Sequence, residues 1–275
     1  MRFFLLLGIS ILFYSCNSPK NKNISFKKTL IIGHKGASKT KEGNQLTENS
    51  FEAVEYAYKK LDGIEVDIRS SKDTTFWLIH DKTINYNKKK LLFSLLSDKE
   101  IQNINYQTKD SIITLKQLFS FLAKQKKRKF VSLDMKAVDN DFWLQDPEEW
   151  FNIITDSIVS FYNYYKPNST IAIESWNLQF LQKIEEKAEN LETYLLIWNP
   201  LNENDILNAE RNNIDGLSCN IEKGLDKKII DLAKEKNIKI QTWTIRNEKT
   251  AKEILKTKPS TMQVDNTNDF INKNI

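Results

Sequence analysis

The chain has 275 residues and a formal charge of +5, a modest basic excess for its length. Its basic runs, Lys88-Lys89-Lys90 and Lys126-Lys127-Arg128-Lys129, fall between apolar segments and read as solvated turns. No zinc or aromatic nucleic-acid signature accompanies them, and the only cysteines, Cys16 and Cys219, have no metal-binding spacing, so nucleic-acid partners and a zinc site are not expected.

In chain order, Arg2 and the apolar run Phe3–Phe13 come first. That run falls short of the ~20 apolar residues a membrane-spanning helix needs, and it has the length of a secretory core. Tyr14-Ser15-Cys16 resembles a bacterial lipoprotein processing site, with Phe13 where leucine is favoured. The expectation is a signal peptide over 1–15, a polar tether over 16–28 lipidated at Cys16, and a single domain over 29–275. The chain would then be exported and anchored in the bacterial cell envelope, on the periplasmic or cell-surface side. With Cys16 lipidated no disulfide is available, and Cys219, in the apolar context IDGLSCN, reads as a small buried side chain.

From residue 29 onward, short β-rich runs alternate with helix-period segments. The strand candidates are Leu30–Ile32, Ile64–Ile68, Phe130–Leu133, Thr170–Ile173, Tyr194–Ile197, Ile214–Leu217, Ile238–Trp243 and Met262–Val264. Between them, Phe51-Val54-Tyr58-Leu61, Leu115-Leu118-Phe119-Leu122 and Ile229-Ile230-Ala233 carry apolar residues at helical spacing. Asn49 or Ser50 can cap the first of these helices, and Asp226 a later one. This alternation predicts parallel βαβ units closing into an α/β TIM (β/α)8 barrel. An extra strand at Phe76–Ile79 is too close for a helical crossover, so it is expected as an antiparallel hairpin partner of the second barrel strand. A doubly wound open sheet is the alternative, but no glycine-rich nucleotide loop follows the first strand.

The two histidines of the chain, His34 and His80, each follow a strand candidate, as though at equivalent strand ends. Carboxyl ends of barrel strands are where this architecture holds active sites. Glu65 and Asp67, two apart on the second strand, share one face. Two carboxylates there repel and lose solvation unless a cation lies between them, and oxygen-only ligands favour a hard ion, Mg²⁺ or Ca²⁺. Asp134 and Lys136 share a face at the end of the third strand, where Asp134 can complete the ligand set and Lys136 can neutralise a phosphate oxygen. Glu174, near the end of the fourth strand, can pair with Lys136 or join the metal shell, with a strand-end ion pair the favoured reading, and Asp139 and Asp141 read as loop acids.

Taken together, these motifs resemble the glycerophosphodiester phosphodiesterase family, among the phosphatidylinositol phospholipase C-like barrels. The family's HRG matches His34-Lys35-Gly36, its PEN segment Thr47-Glu48-Asn49, and its ExD strand Glu65-Val66-Asp67. Its KDG and HD match Lys72-Asp73-Thr74 and His80-Asp81, and its PTL matches Ile113-Thr114-Leu115. Its ExK matches Asp134-Met135-Lys136, its WT pair Trp243-Thr244, and its closing TD Val264-Asp265. The resemblance implies metal-dependent hydrolysis of a small glycerophosphodiester to an alcohol and glycerol 3-phosphate. His34 and His80 would be the acid–base pair, and Glu65, Asp67 and Asp134 would hold one divalent cation. Lys35 and Lys136 would bind phosphate, Glu48 would support the site, and Trp243 would wall the headgroup pocket. The attacking group it implies is the substrate's own neighbouring hydroxyl, giving a cyclic phosphate that water opens.

Five departures bear on specificity, one of them a short segment between His80 and Thr114 where the family often carries a longer substrate-shaping insertion. Lys35 in place of arginine loses the bidentate grip, and Asp134 in place of glutamate shortens the reach by one methylene, as in the sphingomyelinase D branch. Thr47 replaces proline, and Thr74 the turn glycine. The alternatives are a sphingomyelinase D- or phospholipase D-like barrel acting on intact phospholipid, a catalytically inactive lipoprotein that binds phosphate ligands, and an unrelated metal-dependent sugar-processing barrel. No obligate protein partner is evident.

Overall fold

The computed structural model describes residues 28–38, 40, 43–108, 112–139, 146–265 and 270. The expected signal peptide over 1–15, the expected tether as far as residue 27, Cys16 and Asp141 lie outside them. In chain order the elements are β1 (Leu30–Gly33), α1 (Phe51–Lys60), β2 (Gly63–Ser70), β3 (Phe76–Leu78), β4 (Thr83–Tyr86), β5 (Lys89–Leu92), α2 (Asp98–Thr108) and α3 (Leu115–Ala123). There follow β6 (Phe130–Asp134), α4 (Pro147–Tyr165), β7 (Thr170–Ser175), α5 (Leu178–Lys187), β8 (Glu192–Ile197) and α6 (Glu203–Arg211). The chain continues through β9 (Gly216–Asn220), α7 (Lys227–Glu235), β10 (Lys239–Ile245), α8 (Glu248–Thr257) and β11 (Thr261–Val264).

Eight parallel strands run in the order β1-β11-β10-β9-β8-β7-β6-β2, and β2 pairs back onto β1 to close a TIM barrel. Two helices start where the sequence places their caps, at Ser50 and Asp226, and α3 starts at a further cap, Thr114. Ser50 accepts from the Ala53 amide at 3.2 Å, Thr114 and Gln117 form a reciprocal capping box, and Asp226 accepts from the Lys228 amide at 2.8 Å. One set of strand side chains, among them Val66, Val131, Leu133, Ile171 and Leu217, packs outward against the helices in the main core.

The alternate set fills the barrel interior in layers. At the entry end, Ile32, Phe130, Ala172 and Tyr194 form their own apolar cluster with Leu30. Gly216 leaves room for the Tyr194 ring, since a Cβ there would lie 2.5 Å from it. One step up each strand the interior becomes polar, with Ser132 on β6, Glu174 on β7, Ser218 on β9, Gln241 on β10 and Gln263 on β11. A further step brings the chain to Asp67, Asp134 and Trp243 at the carboxyl end.

Three expectations need correction. The Ile214–Leu217 strand starts later, at Gly216, because the Ile214 amide closes the end of α6 on Ala209 O. Meanwhile the Asp215 carboxylate accepts the Thr193 amide at 2.9 Å. His34 and His80 do not sit at equivalent strand ends. His34 follows the parallel β1, whereas β3 runs antiparallel to β2, pairing Ser70 with Phe76 and Ile68 with Leu78. β2 therefore overshoots the barrel rim and β3 descends again, so that the Ile79 amide bonds Asp67 O at 2.9 Å and His80 arrives beside the site from above. Glu174 makes no ion pair with a described residue and is instead the centre of the interior hydrogen-bond network described below.

Between His80 and α2 lies a hairpin that the sequence patterning left unread. β4 and β5 pair antiparallel around Asn87 and Lys88, both at positive φ (49° and 62°). Its inner side packs with Trp77, Phe93 and Ile101 in a satellite core.

Candidate active site

The carboxyl end of the barrel opens into a cavity of about 360 Å³ whose walls include His34, Lys35, Glu48, Glu65, Asp67, His80, Asp134, Lys136 and Trp243. Every residue that the motifs marked for catalysis, metal or phosphate therefore faces one space.

The acids form its base. Glu65 and Asp67 come from β2 and Asp134 from the in-register end of β6, Asp67 opposite Asp134. One oxygen from each lies within 4.8 Å of the others, and Glu65 and Asp67 are almost wholly buried. Burial first, and then the neighbouring charges of Asp67, Glu174 and Asp134, hold the Glu65 carboxyl well above the usual carboxylate range. Asp134 is also raised, chiefly by burial, although Lys136 opposes the shift. Burial alone would lower the Lys136 ammonium, but Asp134 and Asp67, at 2.5 and 3.5 Å, outweigh it and raise the pKa. Of the described lysines on this cavity only Lys136 is ion-paired to Asp67 and Asp134, and the cluster of carboxylates around it leaves the base electronegative. A divalent cation with ligands at about 2.0–2.6 Å can be shared by oxygens spaced this way, and three carboxylates are the donors a hard ion takes. The residues fit such an ion.

Each imidazole is oriented by a carboxylate. His34 Nδ1 lies 2.6 Å from Asp265 Oδ1, and His80 Nδ1 lies 2.8 Å from Asp81 Oδ1. A carboxylate only accepts, so Nδ1 is the donor in both rings and Nε2 is left toward the cavity. His34 Nε2 is 3.8 Å from Glu65 Oε2. Arg69 donates to the His80 carbonyl at 2.6 Å and so ties down the segment that β3 delivers.

Lys35, at positive φ (53°), turns the chain after β1 so that its amide donates to Glu65 at 2.8 Å and its ammonium reaches Glu48 at 3.0 Å. Burial would lower Lys35, but the charges of Asp67, Glu48 and Glu65 raise it overall. Glu48 precedes the Ser50 cap, so it supports Lys35 from just outside α1. Asn49 locks Asp67 from both sides, donating to Oδ2 and accepting from the Asp67 amide, each at 3.0 Å.

Below the acids, Glu174 Oε2 accepts from Gln241 at 2.7 Å, Ser132 at 3.1 Å and Gln263 at 3.2 Å. Burial and the nearby Asp134 charge push its carboxyl up to about 7. Asp139 accepts from the Trp176 indole at 3.1 Å, giving this loop acid a definite partner. Cys219 is buried as expected, and burial pushes its thiol up to about 12.

Sequence reasoning named Asp81, Asp265 and Asn49 as motif letters without seeing their work, which is to hold the two histidines and Asp67. It missed Trp198 and Arg246, both on the cavity wall. Trp198 packs edge-on against Trp243 with ring centroids 5.1 Å apart. Its signal was available, because it stands two residues beyond Leu196 on the inward face of β8.

No curated protein matches the chain significantly. Solved structures share the fold. A protein assigned as a glycerophosphoryl diester phosphodiesterase from Silicibacter pomeroyi is 14% identical, with a TM-score of 0.73, covering 87% of this chain and 90% of that one. The glycerophosphodiester phosphodiesterase of Thermotoga maritima is 19% identical, with a TM-score of 0.66 and coverages of 88% and 96%. A phosphodiesterase of Oleispira antarctica, solved with its product sn-glycerol-3-phosphate, is 15% identical, with a TM-score of 0.69 and coverages of 86% and 93%. The model of the glycerophosphoryl diester phosphodiesterase family matches residues 34–269, the span from the first histidine to just beyond its carboxylate partner. On that match the chain belongs to the glycerophosphoryl diester phosphodiesterase family, hydrolases of phosphodiester bonds.

Proposed function

We propose that the protein hydrolyses small glycerophosphodiesters to an alcohol and glycerol 3-phosphate, using His34 and His80 as its acid–base pair and a single Mg²⁺ or Ca²⁺ held by Glu65, Asp67 and Asp134. The observation that carries this reading is that two imidazoles, each fixed through Nδ1 by its own carboxylate, face the same polar cavity as three clustered acids. The product bound to the Oleispira antarctica relative supports the substrate class.

When bound, the cation neutralises non-bridging phosphate oxygens. The protein's own groups do the rest. One Nε2 removes the proton of the substrate's neighbouring hydroxyl as its oxygen bonds to phosphorus, and the other imidazole protonates the departing alkoxide. Water then opens the cyclic phosphate with the two roles reversed, while Asp265 and Asp81 keep both rings in the required tautomer. Lys35 and Lys136 keep their charge over the working pH range and meet the phosphate as point charges. The Trp243–Trp198 wall shields one side of the organic moiety from water. A polar base of this kind suits a headgroup-sized diester better than an acyl chain.

The test is glycerol 3-phosphate release from a panel of glycerophosphodiesters with Mg²⁺, Ca²⁺ or chelator. Release that needs metal and disappears in a folded His80→Ala variant is expected. No release with any metal from folded wild type would sink the assignment. We also propose export and lipid anchoring through Cys16. Incorporation of a labelled fatty acid, abolished in Cys16→Ser, is the expected outcome, and equal labelling of the variant would refute it.

A further inference from the structure

Large apolar side chains are exposed at five described positions: Leu92, Leu95, Tyr164, Trp176 and Trp198. Four of these five gather at the mouth of the barrel. Trp176 and Trp198 each stand one residue past the ends of the adjacent strands β7 and β8. Leu92 and Leu95 belong to the inserted hairpin and the turn that follows it, held over the rim of β2 where the Lys72 amide bonds Leu96 O. The two pairs are joined across a small cleft that Ser94 and Asp139 both line, and Asp139 carries the Trp176 indole. Tyr164, by contrast, lies in the last turn of α4, at the opposite end.

Exposed Leu and Trp side chains scattered singly over a surface need no explanation, but a cluster around one opening does. Trp176 has its N–H satisfied by the protein while its side chain is left half in solvent, which is the arrangement of an indole at an apolar–water boundary. The same hairpin supplies charge. Lys88, Lys89 and Lys90 are exposed, and none is ion-paired to a described residue. Apolar tips beside unpaired lysines complement an anionic lipid surface, which accepts the first into its acyl boundary and the second at its headgroups.

We propose that the mouth of the barrel is a docking surface for anionic lipid, with Leu92, Leu95 and Trp176 entering the interface and Lys88–Lys90 meeting the headgroups. The cavity then opens onto the membrane surface whichever phosphodiester is cleaved. An anchor at Cys16 is a separate matter. It would hold the chain on a vesicle without bringing Trp176 to the acyl chains.

Full-length protein is mixed with vesicles of phosphatidylglycerol carrying brominated acyl chains, and tryptophan emission is recorded beside vesicle sedimentation. Emission should fall on these vesicles. Part of that loss should vanish in Trp176→Phe, with Trp198 at the same mouth giving the remainder, and the loss should shrink in Leu95→Ser. It should weaken when Lys88, Lys89 and Lys90 are changed together to Gln, when salt is raised, or when brominated phosphatidylcholine replaces the anionic lipid. Circular dichroism and hydrolysis of a water-soluble glycerophosphodiester report whether each variant is folded. Absence of quenching in the wild type, or quenching equal in wild type and Trp176→Phe, overturns the proposal and leaves the reading of the catalytic cavity untouched.

Discussion

The two ends of the barrel interior are built from the same strands on the same register, and they are chemically opposite. Phe130 and Asp134 sit four residues apart on β6 and face the same interior space, yet the first packs against Tyr194 with ring centroids 6.0 Å apart and the second faces a lysine and another acid. At the entry end, Ile32, Phe130, Ala172 and Tyr194 exclude water and close the barrel as a solid plug. At the exit, carboxylates, imidazoles and ammonium groups are held against one another, with the Lys136 ammonium set between Asp134 and Asp67. The lesson is a division of labour along single strands: the floor supplies rigidity, and that rigidity keeps like charges together above it.

Breaking the mouth should abolish turnover and spare the fold. His80 is partly exposed and held by Asp81 and the Arg69 contact to its own carbonyl, so His80→Ala leaves no cavity in the core. Loss of one member of an acid–base pair is expected to lower kcat by about 10²–10⁴-fold, with a melting temperature close to wild type. A variant that melts early would mean that His80 is structural instead.

Breaking the floor should do the reverse. Tyr194 is fully buried, fills the space that Gly216 leaves, and meets the Phe130 ring edge to face. Tyr194→Ala is expected to cost about 3–5 kcal/mol of unfolding free energy, the range for deleting a large buried aromatic. The measurement is denaturant unfolding. The surviving folded fraction should turn over near the wild-type rate, and loss of kcat without loss of stability would dissolve the contrast between the two ends.

This contrast also explains what was legible in the sequence. The barrel strands and their helical connections could be read because burial on both faces of a parallel strand leaves a nearly continuous apolar run, as in Ile171–Ile173, and β3 because it follows β2 too closely for a helical crossover. The acids and histidines could be read because charge inside such a run is costly unless it is used. What escaped was set by tertiary geometry. The hairpin of β4 and β5 has one mostly exposed strand, KKLL, and turns at Asn87-Lys88 without a glycine, so neither alternation nor a turn signal marked it. The partner of Glu174 escaped for a related reason. A strand-end acid suggests a nearby lysine, whereas its donors come from β6, β10 and β11, 42, 67 and 89 residues away in sequence.

Glu174 lies between floor and mouth, and its titration gives the smallest and sharpest test of where one ends and the other begins. Its carboxyl is raised to about 7 from an ordinary 4.5, first by burial and then by Asp134. The folded protein therefore holds a proton there that the unfolded chain releases. With the folded value above the unfolded one, the stability this group contributes is complete below about pH 4.5 and is lost as pH rises through about 7. In chelator, the melting temperature of the wild type should fall between pH 4.5 and 7 more steeply than that of Glu174→Gln, which has no proton to lose. The glutamine matches the glutamate in size and keeps an oxygen that can accept from the Gln241 amide. Part of the slope should persist in the variant, because Glu65 and Asp134 are raised by the same burial. Identical slopes in the two proteins would place Glu174 with the inert floor, and a steeper wild-type slope would place the boundary below it, at the step from Ala172 to Glu174 on β7.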